Sequence, residues 1–482
     1  MFWKIVATLL LFLLSSTEFS LADDNKKNLT VQDVKKIVQE EMQAERDKLK
    51  VKEEQLNKRE KELAERELKL KTEVVNSEAE PKSLVINDKA VTAPGPLSLE
   101  ISGYGDINAN FYDYSESEDQ PVGNRGQSKS TFDTERFVME LEAKHQPSEI
   151  EIEAEIEFEH GGTGSSQEIE FEEFGEFENE VEKGGEVIIE ELYLQKQFGD
   201  GYSAKVGRFY LALNTLSYYY LPTDYLGVRR PEVEEVMLPG QWDEIGISLE
   251  KELDFGRLTF QVVNGLDSTG FSSSSWIAAG HQSRFEGVRA EDLALVSRID
   301  VNSLYPGLAL GAAIYVGNTS GNRPRDDLDV DGGLLIGSAN FRYWDKDFKT
   351  QGAFYLGHLE DAQEISERNS RLSNALGVER TPVADGALGL WTEFGYNIGQ
   401  YLSLANNHQL SPFFRFDYYD TNYETRDSLP ENGRYERLVY TLGLSYLYDD
   451  FLTLKINGSR REFGESNVNS QDVLGLGLGF VY

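Results

Sequence analysis

The sequence predicts an all-β protein: an antiparallel transmembrane β-barrel of about sixteen strands, preceded by a short N-terminal coiled-coil helix. From residue 97 onward, apolar and polar residues alternate in one segment after another, which is the period of a β-strand. The connectors between these segments are alternately short and long, as in barrels with tight turns at one membrane face and loops at the other. The chain ends on a further apolar alternation, which lets the last strand pair with the first and leaves no exposed edge. Its residues are Leu474, Leu476, Leu478, Phe480 and Tyr482.

The composition excludes several classes of protein. The 482 residues include 84 Asp or Glu and 47 Lys or Arg, which gives a formal net charge of −37, and there is no cysteine. Such an acidic chain lacks the basic footprint of a nucleic-acid binder. The absence of cysteine excludes disulfide scaffolds, thiol enzymes and thiolate metal sites. No window after the N-terminus approaches about 18 consecutive apolar residues, which argues against a helical membrane protein but not against a barrel.

The chain divides into four parts. Residues 1–22 are typical of a cleaved signal peptide, with Lys4, an apolar run and a small-residue cleavage site at Ser20-Leu21-Ala22. The alternative is an uncleaved N-terminal anchor, for which the apolar run is short. Residues 23–72 are predicted to form a periplasmic coiled-coil helix, 73–96 a linker, and 97–482 the outer-membrane barrel. This layout predicts an outer-membrane protein of a Gram-negative bacterium.

The helical segment has a heptad pattern with only one good core position. Met42, Leu49, Leu56, Leu63 and Leu70 recur every seven residues. The second core position carries charged residues instead. Two interpretations follow: a parallel oligomeric stalk, trimeric in the sharper version, or a single solvated helix held by Glu–Lys pairs.

The clearest strand is 149–160, where isoleucine, alanine and phenylalanine alternate strictly with glutamate. No helix could separate these two sets onto different faces. The sixteen predicted strands are 97–111, 132–145, 149–160, 186–198, 202–209, 242–252, 256–264, 292–302, 306–318, 333–345, 347–359, 386–398, 409–421, 434–448, 451–461 and 471–482.

A barrel of this size leaves an aqueous lumen, so passive diffusion of small solutes or ions is the expected function. The polar face of the clearest strand predicts an acidic ladder on the lumen wall, formed by Glu149, Glu151, Glu153, Glu155, Glu157 and Glu159. Charges of one sign favour ions of the other sign, so a cation-preferring channel is expected. The five histidines are scattered and no nucleophile motif is present, so the protein is not expected to be an enzyme.

The connector at residues 210–241 is predicted to fold into the lumen as the constriction. It is rich in tyrosine and contains a basic pair. The candidate constriction residues are Arg208, Tyr218, Tyr219, Tyr220, Arg229, Arg230, Glu232, Glu234 and Glu235.

This region resembles the phosphate-selective porin O/P family, and more distantly the siderophore porins of the legiobactin type. The resemblance covers about 60 residues, with a G-R-hydrophobic strand end, a G-V-x-R-P-E-V-E segment and a P-x-x-W-x-E-x-G strand start. The matching residues are Gly207, Arg208, Gly227, Val228, Arg230, Pro231, Glu232, Val233, Glu234, Pro239, Trp242, Glu244 and Gly246. The resemblance implies a sixteen-stranded homotrimeric channel with a periplasmic N-terminal extension. Its partners would be outer-membrane lipid, lipopolysaccharide and the barrel-assembly machinery.

The charge departs from that family, whose phosphate selectivity depends on basic residues along the pore. An acidic lumen would repel phosphate, so cations or neutral solutes are the favoured cargo. The alternative is a local basic eyelet of Arg208, Arg229 and Arg230 inside an acidic vestibule. A channel for a siderophore or metal chelate, and a barrel that anchors an envelope tether, are further alternatives.

Two acidic segments suggest a metal, although no cofactor is expected overall. Asp327, Asp329 and Asp331 match the opening of a calcium loop, but position twelve is Ser338 instead of a bidentate acid. Gly332 serves an ordinary turn equally well. The glutamate-rich segment 167–186 is interpreted as a solvated external loop in preference to a cation trap.

Overall fold

A computed structural model describes residues 91–92, 97–113, 129–162, 164–171, 177–185, 187–282, 287–372, 381–466, 468 and 470–482. The predicted signal peptide, the coiled coil and most of the linker lie outside the described residues. Within them, no helix is long and apolar enough to cross a bilayer.

The described chain forms a closed, sixteen-stranded antiparallel β-barrel. A two-residue strand, Val91–Thr92, adds to the edge of the first barrel strand. The first eight strands are β1 Leu97–Tyr112, β2 Lys129–His145, β3 Ile150–Glu159, β4 Val187–Gly199, β5 Tyr202–Tyr210, β6 Asp243–Leu253, β7 Gly256–Asn264 and β8 Leu293–Val301. The second eight are β9 Leu308–Gly317, β10 Leu334–Trp344, β11 Phe348–Leu359, β12 Gly386–Tyr396, β13 His408–Glu424, β14 Glu436–Tyr448, β15 Leu452–Phe463 and β16 Gln471–Val481.

All sixteen predicted strands are confirmed, with small shifts at their ends. One addition was not predicted: strands Gly164–Phe171 and Phe177–Gly185 form a hairpin within the connector from β3 to β4. One end differs for a clear reason, because Glu149 has a left-handed φ of 54° and belongs to the turn between β2 and β3.

Each strand pairs with its sequence neighbours, and β16 pairs with β1 from Val473↔Tyr112 to Val481↔Tyr104. Tyr482 continues the closure, since it exchanges backbone hydrogen bonds of 2.9 and 3.1 Å with Gly103. Phe480 and Tyr482 cover Gly105 and Gly103: a Cβ on Gly105 would lie 2.5 Å from the Phe480 ring, and one on Gly103 would lie 2.7 Å from the Tyr482 hydroxyl. Glycine at these two positions lets the C-terminal aromatics pack on the seam of the barrel.

The outer face of the barrel is apolar. Exposed side chains on it include Ile107, Ile152, Ile247, Leu295 and Leu356, spread around the circumference. Such an apolar surface on a closed barrel suits hydrocarbon, because every backbone group is already paired within the sheet. The described chain is therefore a transmembrane β-barrel.

Short turns join the strands at one rim, here called the short-turn end, and long connectors join them at the other, the long-loop end. The long connectors hold two short helices, α1 Glu232–Val236 and α2 Ala362–Asn369, and 3₁₀ turns at Ser268–Gly270 and Ala278–Gly280. The helix α1 belongs to the connector between β5 and β6, residues 211–242, here called the crossing loop.

Candidate functional site

The lumen wall is divided into two regions of opposite charge. The pairing register places acidic side chains on the inner face of β1–β6, here called the acidic wall: Glu100, Asp106, Glu140, Glu142, Glu151, Glu153, Glu155, Glu157, Glu191 and Glu250. It places basic side chains on the inner face of β8–β15, here called the basic wall: Arg298, Arg342, Lys349, Arg415, Arg437, Lys455 and Arg461. A solute in the lumen therefore lies in a transverse electric field.

Charges of the minority sign on each wall are neutralised locally. On the acidic wall, Arg136 lies 3.6 Å from Glu157 and Lys144 lies 3.2 Å from Glu151. On the basic wall, Arg298 binds Asp300 at 2.7 Å. Arg415 of the basic wall also pairs with two carboxylates, Asp417 at 3.2 Å and Glu393 at 3.9 Å. Each wall nevertheless keeps an excess of charge of one sign, which preserves the division.

The crossing loop starts and ends on the acidic wall, at β5 and β6, and extends across the lumen to the opposite side. Its backbone N–H groups donate to side chains of the basic wall region. Leu226 N–H donates to Glu393 at 2.9 Å, and Val228 N–H donates to Asn457 at 2.7 Å. The two partners lie on β12 and β15. The loop is therefore held at its tip by hydrogen bonds that only a folded barrel provides.

Two carboxylates of helix α1 hold it in place, one at its first residue and one at its centre. Glu232 accepts a 2.7 Å hydrogen bond from Arg461 on β15 and another from Tyr419 on β13. Glu234 is fully buried and accepts from the Trp391 indole N–H at 2.7 Å and the Leu216 N–H at 2.9 Å. Charged and polar contacts of Glu232 and Glu234 thus fix helix α1 against the barrel wall and the rest of the loop.

The tyrosines of the crossing loop lie on the cations of the basic wall. Arg298 stacks on Tyr218 at 4.4 Å and Arg342 on Tyr219 at 4.1 Å, measured to the ring centroids. Lys455 lies 3.7 Å from the Tyr225 centroid, and the Tyr225 hydroxyl donates to Asp106 on the acidic wall at 2.7 Å. Cation–π contacts of this kind are worth about 0.5–2 kcal/mol each. They explain why the loop is rich in tyrosine.

Apolar side chains fill the lumen next to β6–β12. Loop residues including Leu213, Val233 and Met237 pack there against inward-facing wall residues such as Tyr315 and Tyr355. A dry core of this kind admits no water-filled path. The remaining space lies beside β13–β16 and β1–β4.

Two cavities occupy that space, and both lie against the crossing loop. The narrow cavity, of about 250 Å³, is lined by Arg229, Arg230, Arg415 and Arg461 together with Glu232 and Glu235. The wide cavity, of about 780 Å³, is lined by three arginines, Arg136, Arg229 and Arg230, and by six carboxylates, namely Asp133, Glu135, Glu157, Glu159, Glu190 and Glu235. Asn110, Tyr112, Arg229, Arg230 and Glu235 line both cavities.

The structure brings eight of the nine predicted constriction residues into the lumen: Tyr218, Tyr219, Tyr220, Arg229, Arg230, Glu232, Glu234 and Glu235. Arg208 lies elsewhere. Its register partners on the two neighbouring strands, Leu192 and Ile245, are exposed on the outer face of the barrel, so Arg208 lies on that face as well. There it forms a buried ion pair with Asp243. The basic eyelet is therefore reduced to Arg229 and Arg230.

The predicted acidic ladder differs along its length. Glu151, Glu153, Glu155 and Glu157 face the lumen, and Glu159 ends the strand. Glu149 is exposed in the turn at the short-turn end. Glu155 and Glu157 are each only 1% exposed, because Tyr210 at the end of β5 and Tyr220 of the crossing loop lie over this part of the wall, bonded to Glu190 and Glu140. Ions can therefore contact the ladder mainly at Glu151 and Glu153, and at Glu159, which lines the wide cavity.

The three aspartates of the suggested calcium loop are not assembled into a metal site. One oxygen of Asp327 binds Arg323 and the other binds Arg368, each at 2.7 Å. Asp329 and Asp331 are exposed. Among the described residues, no group of three or more His, Cys, Asp or Glu side chains is placed to hold a metal ion. The side chains of the glutamate-rich segment 167–186 lie outside the described residues.

Sequence reasoning missed the basic wall. Its seven cations are spread over six strands, so no local cluster marks them. The signal was nevertheless present, because each lies at the inward position of an alternating strand, as Arg415 does between the outward-facing Phe414 and Phe416.

The ionised Glu232 carboxylate predicts that docking of the crossing loop in the lumen is sensitive to acid. Burial would raise the pKa of Glu232, but Arg461, its hydrogen bond and that of Tyr419 lower it from 4.5 to about 2. A depressed pKa stabilises the docked loop above about pH 4.5, and this stabilisation is lost as the pH falls through about 2. We expect the wild-type single-channel conductance to be constant from neutral pH to about pH 4 and to change near pH 2, while Glu232→Gln shows the low-pH conductance already at neutral pH. A Glu232→Gln channel identical to wild type would contradict this role.

No protein-family profile matches the chain. It is 24% identical over 408 residues to an uncharacterised protein of Aquifex aeolicus, covering 83% of this chain and 84% of the relative. Among solved structures, it is similar to the outer-membrane channel DcaP of Acinetobacter baumannii, with a TM-score of 0.47 and 10% identity over 82% of this chain and 100% of that one. It is also similar to Pseudomonas putida OprB at high pH, with a TM-score of 0.47 and 10% identity over 80% and 94%. An anion-selective porin from Comamonas acidovorans gives a TM-score of 0.46 and 9% identity over 80% and 100%.

Proposed function

We propose that the protein is an outer-membrane porin, which lets small solutes and ions diffuse passively through a water-filled channel. The observation that carries this proposal is the crossing loop: it narrows the lumen of a closed barrel and leaves polar, charged cavities beside it. A porin restricts passage by such a constriction and needs no catalytic group. The resemblance around residues 207–246 supports the same function, and a homotrimer in the outer membrane belongs to the proposal.

The channel is further proposed to prefer cations weakly. Acidic side chains that water reaches, such as Glu100, Glu142 and Glu151, line the vestibule at the short-turn end. The lining of the constriction itself contains both arginine and glutamate. Cation enrichment in the vestibule therefore supplies a selectivity that the constriction only partly retains.

The test is the reversal potential of purified protein in planar bilayers under a KCl gradient. We expect a K⁺ to Cl⁻ permeability ratio of roughly two to five at about 0.01 M salt, falling toward one at about 1 M, because the Debye length shrinks from about 30 Å to about 3 Å. The double variant Glu100→Gln/Glu142→Gln should lower the ratio at low salt. Glu364→Gln, which removes an exposed charge on α2, is the matched control. The absence of channel events would refute the porin function.

Anion uptake is the second candidate, favoured by one observation. Four arginines line the narrow cavity, against the carboxylates of Glu232, Glu235 and Asp472. If this cavity is the only open path, the sign of the reversal potential should reverse and indicate Cl⁻ preference. Such a result would support the phosphate channel that the sequence resemblance implies over the cation-preferring channel.

A further inference from the structure

The junction between the two cavities combines one cation and one anion that are both available to a solute. Arg229 and Glu235 line the narrow and the wide cavity alike. Both belong to the crossing loop, three residues before and within helix α1. Any solute that moves between the cavities must therefore pass these two side chains.

Neither side chain is engaged in a hydrogen bond or an ion pair among the described residues. Over the part of the chain that the structure describes, the Arg229 guanidinium and the Glu235 carboxylate form no hydrogen bond and no ion pair, and they are not in ion-pair contact with each other. Arg229 is exposed to the lumen and Glu235 is half-buried. Desolvation in the lumen lowers the pKa of Arg229, but the carboxylates of Glu235 and Glu135 raise it above its ordinary value. The two groups are thus close enough to interact and too far apart to neutralise each other.

The charges next to the junction follow the same order as Arg229 and Glu235, with cations on the narrow side and carboxylates on the wide side. On the narrow side, Arg415 and Arg461 lie beyond Arg229, with Arg461 bonded to Glu232. On the wide side, Glu159 and Glu190 add negative charge beyond Glu235, whereas Glu157 is paired with Arg136. Arg230 is not equally available, because it donates to Gln241 and to the Tyr220 carbonyl. The field at the junction therefore favours a solute that carries both charges.

We propose that Arg229 and Glu235 form a subsite for zwitterionic solutes of the α-amino acid class, with the carboxylate of the solute on Arg229 and its ammonium group on Glu235. This inference rests on the proposed channel function. A guanidinium binds a carboxylate with two parallel hydrogen bonds, which fixes the orientation of the solute. A simple anion is attracted by Arg229 but repelled by Glu235. A simple cation is attracted by Glu235 but repelled by Arg229. Only the zwitterion satisfies both groups.

The experiment compares four solutes of one skeleton in proteoliposomes that contain the full-length protein. L-Alanine is zwitterionic, L-lactate anionic, L-alaninamide largely cationic and L-lactamide neutral at neutral pH. We expect alanine to enter about five- to tenfold faster than lactamide at low concentration, the advantage of charge-assisted hydrogen bonds that hold a solute without trapping it. Lactate and alaninamide should both enter more slowly than alanine. This comparison uses the wild-type protein and needs no variant.

Two variants test which charged group of the solute each side chain binds. Arg229→Gln should bring alanine influx down to the lactamide rate and slow lactate, and Glu235→Gln should do the same to alanine while slowing alaninamide. Lactamide influx should stay constant in both. Lys346→Gln, an exposed cation in a turn at the short-turn end, is the control for loss of charge elsewhere.

The outcomes separate this subsite from the channel itself. Normal KCl conductance with alanine no faster than lactamide would overturn the zwitterion subsite and leave the porin function standing. A loss of lactamide influx equal to the loss of alanine influx in Arg229→Gln would also overturn it, because a shape change would then explain both. Absence of conductance and of influx for every solute would refute both proposals.

Discussion

Cysteines placed at Val228 and Gly475 are expected to form a disulfide spontaneously in the folded protein. A Cβ built on Gly475, which lies on β16, falls 3.3 Å from the Val228 Cβ at the tip of the crossing loop. Disulfides need Cβ atoms about 3.5–4.5 Å apart, so a small adjustment closes the bond. The chain contains no native cysteine, so no competing thiol interferes. Proteolysis between the two positions followed by electrophoresis, with and without reductant, measures the cross-link.

The matched control pairs Val228→Cys with Gly458→Cys. Gly458 is the register partner of Leu474, one residue from Gly475, but it lies on the outer face and a Cβ there would have no atom within 4 Å. This pair should remain reduced. Cross-linking of the control pair, or none in the test pair, would mean that the loop does not cross to β16. Because the bond fixes a contact that already exists, the cross-linked protein should conduct as the wild type does.

The strands were predictable because strand periodicity is a local property. In β3, the alternation of isoleucine and glutamate assigns each side chain to a face without knowledge of any other strand. Arg208 was wrongly included among the constriction residues because the motif was followed instead of this rule. Tyr202, Ala204 and Val206 occupy the outer face of β5, and Arg208 continues that series.

Depth of burial and charge segregation were not predictable from the sequence. Alternation predicted that Glu155 faces the lumen, but not that Tyr210 at the end of β5 and Tyr220 of the crossing loop would cover it. The separation of Arg415 and Arg461 from the glutamates of β3 follows from the closure of the barrel, which sets strands far apart in sequence on facing walls. The net charge of −37 therefore describes the whole chain and not its constriction.

Glu234 is the contact on which docking of the crossing loop is expected to depend most. Its carboxylate is fully buried and accepts from both the Trp391 indole and the Leu216 amide. Glu234→Ala leaves these two buried donors without an acceptor, at a cost of roughly 1–3 kcal/mol for each. The barrel wall keeps its own backbone ladder, so the loop should undock while the barrel stays folded. We expect the single-channel conductance in planar bilayers to rise severalfold and its noise to increase.

Protonation and rescue distinguish loss of this contact from general damage. Burial raises the pKa of Glu234, although hydrogen bonds from Tyr355, the Leu216 amide, Trp391 and Thr215 oppose the shift. A neutral acceptor is therefore tolerated better than none, and Glu234→Gln should conduct closer to wild type than Glu234→Ala. Adding the cysteines at Val228 and Gly475 to Glu234→Ala should restore the wild-type conductance under oxidising conditions and lose it again on reduction. A conductance that stays raised after cross-linking would show that the wall, not the loop, had changed.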